Sequence, residues 1–306
     1  MAKALGGGLL TAMSRSTFKI LLFIWIAVFI CGCKDKEPES FRHTPPIPVN
    51  GKLKGVIELG SYGFNSFVIN VDMHRNWELK KAEFRVNTIY DTEDVKSIIN
   101  ILKDYIQHIE SFGVLNREIH FIVSSGAIKD PKVQHLVQII KDIGYIANIA
   151  TPEQEARCAF QSILPNAFRR HAFVVDIGSG NTKIAWVEGR DNIHTLETVG
   201  ARYLQQEITD KKAVEEVALQ ASQVPQEYRE ICFIIGGIPY EMAKLYRKNK
   251  ERYTVLRHPS KYHFDDDRKN SGVIIYKTIR ETTGCERFVF DWNGNFAIGF
   301  LLSLNY

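Results

Sequence analysis

The chain has 306 residues, 45% of them hydrophobic, 24% charged and 11% aromatic, a globular balance with room for one large domain or two smaller ones. The formal charge of +4 is small and no block of lysine or arginine is present, which argues against a nucleic-acid binder. Heptads and fixed-period repeats are absent, so coiled coils and solenoids are excluded as well.

Residues 20–30, ILLFIWIAVFI, form an uncharged apolar run behind Arg15 and Lys19. The run is shorter than the ~20 residues a membrane-spanning helix needs. It has the length of a secretory h-region behind a cationic n-region. The CGC that follows places Ile30 three residues before Cys33, and this resembles a lipoprotein signal-peptidase site. Residues 1–33 therefore read as a signal peptide and Cys33 as the lipidated first residue of the mature chain. An uncleaved anchor, or an ordinary signal peptide cut nearby, is the alternative. Met13 opens a complete signal by itself and competes with Met1 as the start. Residues 34–52 are charged and proline-rich with few large apolar side chains, and they read as a flexible tether. Cleavage would remove Lys3, Arg15 and Lys19 and no acid, leaving the mature chain close to neutral. The expected location is the cell envelope, lipid-anchored and facing the periplasm or the cell surface. Cys158, Cys232 and Cys285 lack C-x-x-C spacing, so they read as buried thiols rather than metal ligands. One disulfide is the alternative in an oxidising compartment.

Regular pattern begins at residue 53. LKGVIELGS is a strand running into a turn, SFVINVD a second strand and KKAEFRVNTIY a third. Residues 92–112 space their apolar side chains near 3.6, with Thr92 as the expected cap. REIHFIVSSGAI gives a strand and a small-residue turn. PKVQHLVQIIKDIG is a helix with proline at its start and glycine at its stop. YIANIA is a strand, and TPEQEARCAFQSIL a helix opened by Thr151 and Pro152. The pattern then restarts with AFVVDIGSG, KIAWVEG and IHTLETVG as three strands. Helix signals follow over 211–223. EICFIIGGIP is a strand into a Gly-Gly turn, and Pro239 opens another helix. Residues 257–270 are polar and read as a loop, and 271–283 and 295–304 as helices. Tyr253, Tyr262, Phe288 and Trp292 read as core.

Each half thus opens on strand, acid, glycine turn, strand: VIELGSYGFNSFVIN in the first and FVVDIGSGNTKIAWV in the second. The pairing points to a duplicated α/β fold with a cleft between the halves, a preferred place for ligands. The expected domains are 53–167 and 168–306. Small-residue turns supply backbone N–H groups to phosphate oxygens, and glycine lets the backbone approach closely.

These turns resemble the phosphate loops of the actin, Hsp70 and sugar-kinase superfamily, and VVDIGSGNTK is similar to the VIDIGGGSTE pattern of the exopolyphosphatase and guanosine pentaphosphate phosphatase family. IATPEQEARCAF, IVSSGAIKD and TVGARYL resemble three further segments of that family, in the same order. The resemblance covers about residues 53–245. It implies two ribonuclease-H-like (actin-like ATPase) domains flanking a cleft, and hydrolysis of terminal phosphoanhydrides. It makes Glu155 the base for the attacking water and Asp176 a catalytic carboxylate that, with Glu58, holds Mg²⁺ or another divalent cation. It makes Gly60, Ser61, Lys129, Gly178, Ser179, Gly180, Asn181 and Thr182 the phosphate contacts, with Gly236 and Gly237 a further ligand loop. A residue-level alternative for Glu155 is an acid stabilising the first turn of its own helix.

Three departures bear on activity. Glu58 stands where the family has aspartate, which would shift a metal-bound water. Tyr62 and Gly63 follow Ser61 in place of small polar residues. Lys183 stands where the family ends its second loop in glutamate; it would pair with phosphate oxygens and replace metal charge, or point to solvent on an alternating strand. The first expectation is accordingly a membrane-tethered phosphatase acting on polyphosphate or a nucleotide polyphosphate. The second is a weak or inactive phosphate-ligand sensor on the same fold, and the third a structural envelope lipoprotein. The sequence leaves the oligomeric state open, a homodimer included, and calls for no nucleic-acid partner.

Overall fold

The computed structural model describes residues 40–60, 63–86, 94–189 and 192–305, which belong to one compact unit. The expected signal peptide, Cys33, Ser61 and Tyr62 lie outside the described residues. No helix among the described residues is long and apolar enough to cross a membrane.

The first sheet holds β1 (Lys52–Leu59), β2 (Gly63–Val71), β3 (Trp77–Val86), β4 (Ile119–Val123) and β5 (Ala147–Ile149) in the order β3-β2-β1-β4-β5. β1 runs antiparallel to β2 and parallel to β4. The second holds β6 (Ala172–Ile177), β7 (Asn181–Glu188), β8 (Asn192–Val199), β9 (Ile231–Gly236), β10 (Tyr253–Val255) and β11 (Arg287–Asp291), in the order β10-β11-β9-β6-β7-β8. There β6 is antiparallel to β7 and parallel to β9. The two sheets share one plan: a three-stranded meander, then parallel strands added at the first strand's other side. The duplication read from the two glycine turns is therefore a duplication of topology.

The helices are α1 (Val95–Glu110), α2 (Pro131–Asp142), α3 (Pro152–Ile163), α4 (Asp210–Ala221), α5 (Gly237–Lys244), α6 (Asp267–Thr283) and α7 (Phe296–Ser303). Helix α1 is capped by Asp94, which accepts from the Ser97 N–H at 3.0 Å; Thr92, the expected cap, lies outside the described residues. Helix α6 starts inside the expected polar loop because Asp266 is its cap, accepting from the Lys269 N–H at 2.8 Å. Helix α3 opens at Thr151 and Pro152 as expected, and its start is a capping box closed by Gln154. β10 and β11 were not expected; of their residues only Tyr253 and Phe288 were singled out, as core.

Packing forms successive layers. Helices α1 and α2 cover one face of the first sheet around Leu102, Phe121 and Ile140. Helices α4 and α6 cover one face of the second around Val217, Phe173 and Ile275. Between the sheets lies a core of Val56, Ile122, Phe160, Ile163, Phe233 and Leu301, built on α3 and α7. Helix α3 follows the first sheet in the chain but packs on β6, β7 and β8, while α7 follows the second and packs on β1 and β2. Cys158, Cys232 and Cys285 are buried and free.

Residues 40–51, expected as part of a flexible tether, are docked. The Phe41 ring packs against Phe168, Phe233 and Tyr253 at centroid distances of 5.2, 5.5 and 5.2 Å. One aromatic side chain among polar and proline neighbours is enough to hold the segment against an aromatic cluster.

Candidate active site between the two sheets

A cavity of about 440 Å³ opens where the two glycine turns face each other. It is lined by Glu58, Gly60, Glu155, Asp176, Gly178–Asn181, Lys183, Gly236 and Gly237 among others. Parallel strands β1 and β4 in one sheet, and β6 and β9 in the other, all end here, the usual place for a ligand in open α/β sheets.

The second glycine turn is held from below. The Gly178 N–H donates to the Asn181 carbonyl at 3.0 Å, and the Ala201 and Arg202 N–H groups donate to Gly178 and Ser179 carbonyls, both at 2.9 Å. Gly200 is glycine for a steric reason: a Cβ there would lie 2.3 Å from the Asn181 nitrogen. The TVGARYL segment is thus the buttress of the loop. Gly236 has φ +115°, and a Cβ there would strike the Ile177 carbonyl oxygen at 2.3 Å. Helix α5 starts on it without a side-chain cap, so first-turn N–H groups at its positive end are available at the cavity wall.

Four charged side chains converge. Glu58, at the end of β1, is paired in register with Asn65. Its Oε2 accepts from the Asn65 amide at 2.9 Å and from Asn295, the α7 cap, at 3.4 Å. Burial, with Glu155 and Asp176 nearby, pushes the Glu58 carboxyl up to about 7 against the pull of these amides. Glu155, in the first turn of α3, is only 1% exposed. Its Oε1 accepts from the Ser125 N–H at 2.6 Å, and its Oε2 from the Ser125 hydroxyl at 3.0 Å and from Lys183 Nζ at 2.5 Å. Lys183 stands opposite Asp176 in the β6–β7 register. Burial pulls the ammonium down, but Asp176 and Glu155 outweigh it and its net direction is up. Asp176 is raised by burial, partly offset by Lys183.

The structure thus gathers Glu58, Gly60, Glu155, Asp176, Gly178, Ser179, Gly180, Asn181, Gly236 and Gly237 in one cavity. Lys129 is exposed in a short 3₁₀ turn and does not line it. Thr182 does not line it either: strand alternation turns it away from Asn181 and Lys183, buried across from Thr198. Lys183 does not point to solvent; it is 7% exposed and ion-paired. Trp292, expected as core, is half-buried at the cavity wall, with the Arg247 guanidinium 3.8 Å from its ring centroid. Ser125, Asn65 and Asn295 were missed. Asn65 and Ser125 lie within or just after strand signals and Asn295 opens a helix signal, and only the tertiary fold turns them toward the two glutamates.

A divalent cation fits this arrangement poorly. Among the described residues no group of three or more His, Cys, Asp or Glu side chains is placed to hold a metal ion. Both Glu155 oxygens are engaged, and the cationic Lys183 Nζ already lies against one of them. Glu58 and Asp176, the two expected ligands, share the cavity without a third carboxylate that is free to join them.

A sequence profile of the Ppx/GppA phosphatase family matches residues 67–241. Among solved structures, the Ppx/GppA family member from Aquifex aeolicus superposes with a TM-score of 0.64 at 18% identity, covering 83% of this chain and 97% of its own. An exopolyphosphatase from Cytophaga hutchinsonii superposes with a TM-score of 0.65 at 12% identity, covering 82% and 96%. At these identities the likeness establishes the fold, the actin-like two-domain architecture of that family. No curated protein matches.

Proposed function

We propose that this chain, which belongs to the Ppx/GppA phosphatase family, hydrolyses the terminal phosphoanhydride of polyphosphate or of a guanosine pentaphosphate-type nucleotide in the cavity between its sheets. The observation that carries the reading is the set of buried carboxylates flanked by glycine turns from both sheets in one cavity. The Gly178–Asn181 turn and the start of α5 cradle the terminal phosphoryl oxygens, and the Lys183 ammonium adds positive charge beside them. Catalysis of such a transfer rests on positioning and electrostatics. Water attacks phosphorus, the bridging P–O bond breaks, and a carboxylate takes the water's proton.

Glu58 suits that proton better than Glu155. Its carboxyl changes charge near neutrality, where a general base is most effective, whereas Glu155 is committed to Ser125 and Lys183. Glu155 then positions Lys183 and the turn after β4. No step is routed through a metal. Exposed Tyr240 and half-buried Trp292 at the wall, 5.3 Å apart edge to face, offer ring surface to a base. Lipidation at Cys33 would hold this activity at the cell envelope.

The locked state of Glu155 favours a second reading, a phosphate-ligand binder without turnover. Phosphate release from long-chain polyphosphate and guanosine pentaphosphate separates the two. A hydrolase gives steady release that falls about a hundredfold or more in Glu58→Gln, the usual loss of a general base, while ligand binding persists. A binder gives ligand-induced stabilisation and no release. Full turnover in Glu58→Gln, together with its loss in Glu155→Gln, would return the base role to Glu155.

A further inference from the structure

We infer that Lys183 is the resident cation of this site: its ammonium, seated against Glu155 and across from Asp176, supplies the positive charge there, so the cavity takes up phosphate-type anions without a metal. The inference rests on the phosphate reading only for its choice of anion; its account of the cation stands on the side chains alone.

Three carboxylates, Glu58, Glu155 and Asp176, line one cavity at 7%, 1% and 8% exposure. So much buried negative charge requires a counterion. Lys183 supplies it from within the chain. The β6–β7 register sets it across from Asp176, and its Nζ reaches Glu155 Oε2 at 2.5 Å. The ammonium also approaches the second glycine turn: a Cβ on Gly178 would lie 3.7 Å from Nζ. A divalent ion on Glu155 would have to come within ~2.0–2.6 Å of a carboxylate oxygen, which puts it against Nζ, a like charge on the same oxygen. Either the ion or the ammonium occupies that place.

The strand also holds the ammonium in place. Neighbouring Asn181, on the same face of β7, is fixed by its amide donating to Glu197 at 2.7 Å. Ile184 and Trp186 anchor the other face in the core beneath α4 and α6. An ammonium is a point charge with three donors, so after serving Glu155 it keeps N–H groups for anion oxygens arriving at the turn.

The test uses the purified full chain and two probes, Mn²⁺ and tripolyphosphate. Mn²⁺ binding is followed by electron paramagnetic resonance and by melting temperature. Wild type is expected to show no saturable site. Lys183→Ala, which takes the competing cation from beside Glu155 and Asp176, is expected to acquire one. Its melting temperature should then rise by about 5 °C or more once the ion reaches ~100 times its Kd. Lys183→Met serves if the alanine variant does not fold, since it keeps the apolar stem. Saturable Mn²⁺ binding in wild type that is lost in Asp176→Asn would overturn the inference without any Lys183 variant. For the anion, tripolyphosphate affinity at equal free ligand should be the same in EDTA and in Mg²⁺, and at least tenfold weaker in Lys183→Ala in EDTA. Binding by wild type only when Mg²⁺ is present would sink the inference and spare the phosphate reading. If tripolyphosphate binds under neither condition, the phosphate reading falls and the Mn²⁺ titration alone decides the role of Lys183.

Discussion

Glu58 and Lys183 differ in how far their residue types disclose their work. A glutamate ending the first strand was visible as a site acid, but its near-neutral carboxyl was not, because burial and the charges of Glu155 and Asp176 come from other elements. The consequence for stability has a definite sign. The folded value of about 7 stands above the ordinary 4.5, so the native state binds a proton the unfolded chain has released. The stabilisation is complete below the ordinary value and is lost as pH rises through 7. Glu58→Gln keeps an oxygen for Asn65 and removes the buried charge. Its stability should match wild type near pH 4 and exceed it above pH 8 by on the order of 3 kcal/mol. Urea denaturation at both pH values checks this; an equal difference at both would show that the charge is not what is felt. Lys183 was legible as a departure from the family, with solvent and phosphate as its two expected partners. The third option, a carboxylate from α3, required knowing that α3 packs on the second sheet.

Helix α7 shows which elements the chain disclosed and which it hid. Its apolar run over 295–304 was legible as a helix. What could not be read was the reason for Gly299, which is contact rather than flexibility. A Cβ there would lie 1.8 Å from the Cys158 carbonyl oxygen on α3. The two helices touch backbone to backbone in the core between the sheets, and neither partner is a flexible side chain that can move aside. Gly299→Ala should therefore cost at least about 2 kcal/mol through overpacking. It should also disturb Asn295, the α7 cap that donates to Glu58, and so move the pH dependence of stability. Gly126→Ala is the control: its φ is −76° and a Cβ there meets nothing within 4 Å, so its unfolding free energy should stay within about 0.5 kcal/mol of wild type. The strands followed the same rule. The meanders β1–β3 and β6–β8 were legible from local alternation and turn residues. β10 and β11 were not, because β11 exists through pairing with β9, far away in sequence.

At the scale of the whole molecule, the duplicated sheets and the cleft were legible because both halves repeat one local signal, strand, acid and glycine turn. The exchange of α3 and α7 between halves was not, since nothing local says which sheet a helix will cover. The same limit applies at the amino end. Composition marks residues 34–52 as a tether, yet Phe41 is seated among Phe168, Phe233 and Tyr253, with the Arg287 guanidinium 5.9 Å from its ring centroid. If Cys33 carries the lipid, the stretch from there to Phe41 spans at most ~28 Å when fully extended. The folded unit is then leashed close to the membrane by a docked segment instead of ranging on a long linker. The docking is an energetic claim as well as a geometric one. Phe41 is half-buried, so Phe41→Ala should cost about 2 kcal/mol, below the ~3–5 typical of a fully buried phenylalanine. Limited proteolysis gives an independent readout. Residues 40–51 should resist cleavage in wild type and become the first site cut in Phe41→Ala, while the core from Lys52 onward stays intact. Early cutting at 40–51 in wild type would instead mean that the segment leaves its aromatic seat in solution, and the leash would recover the length its composition suggested.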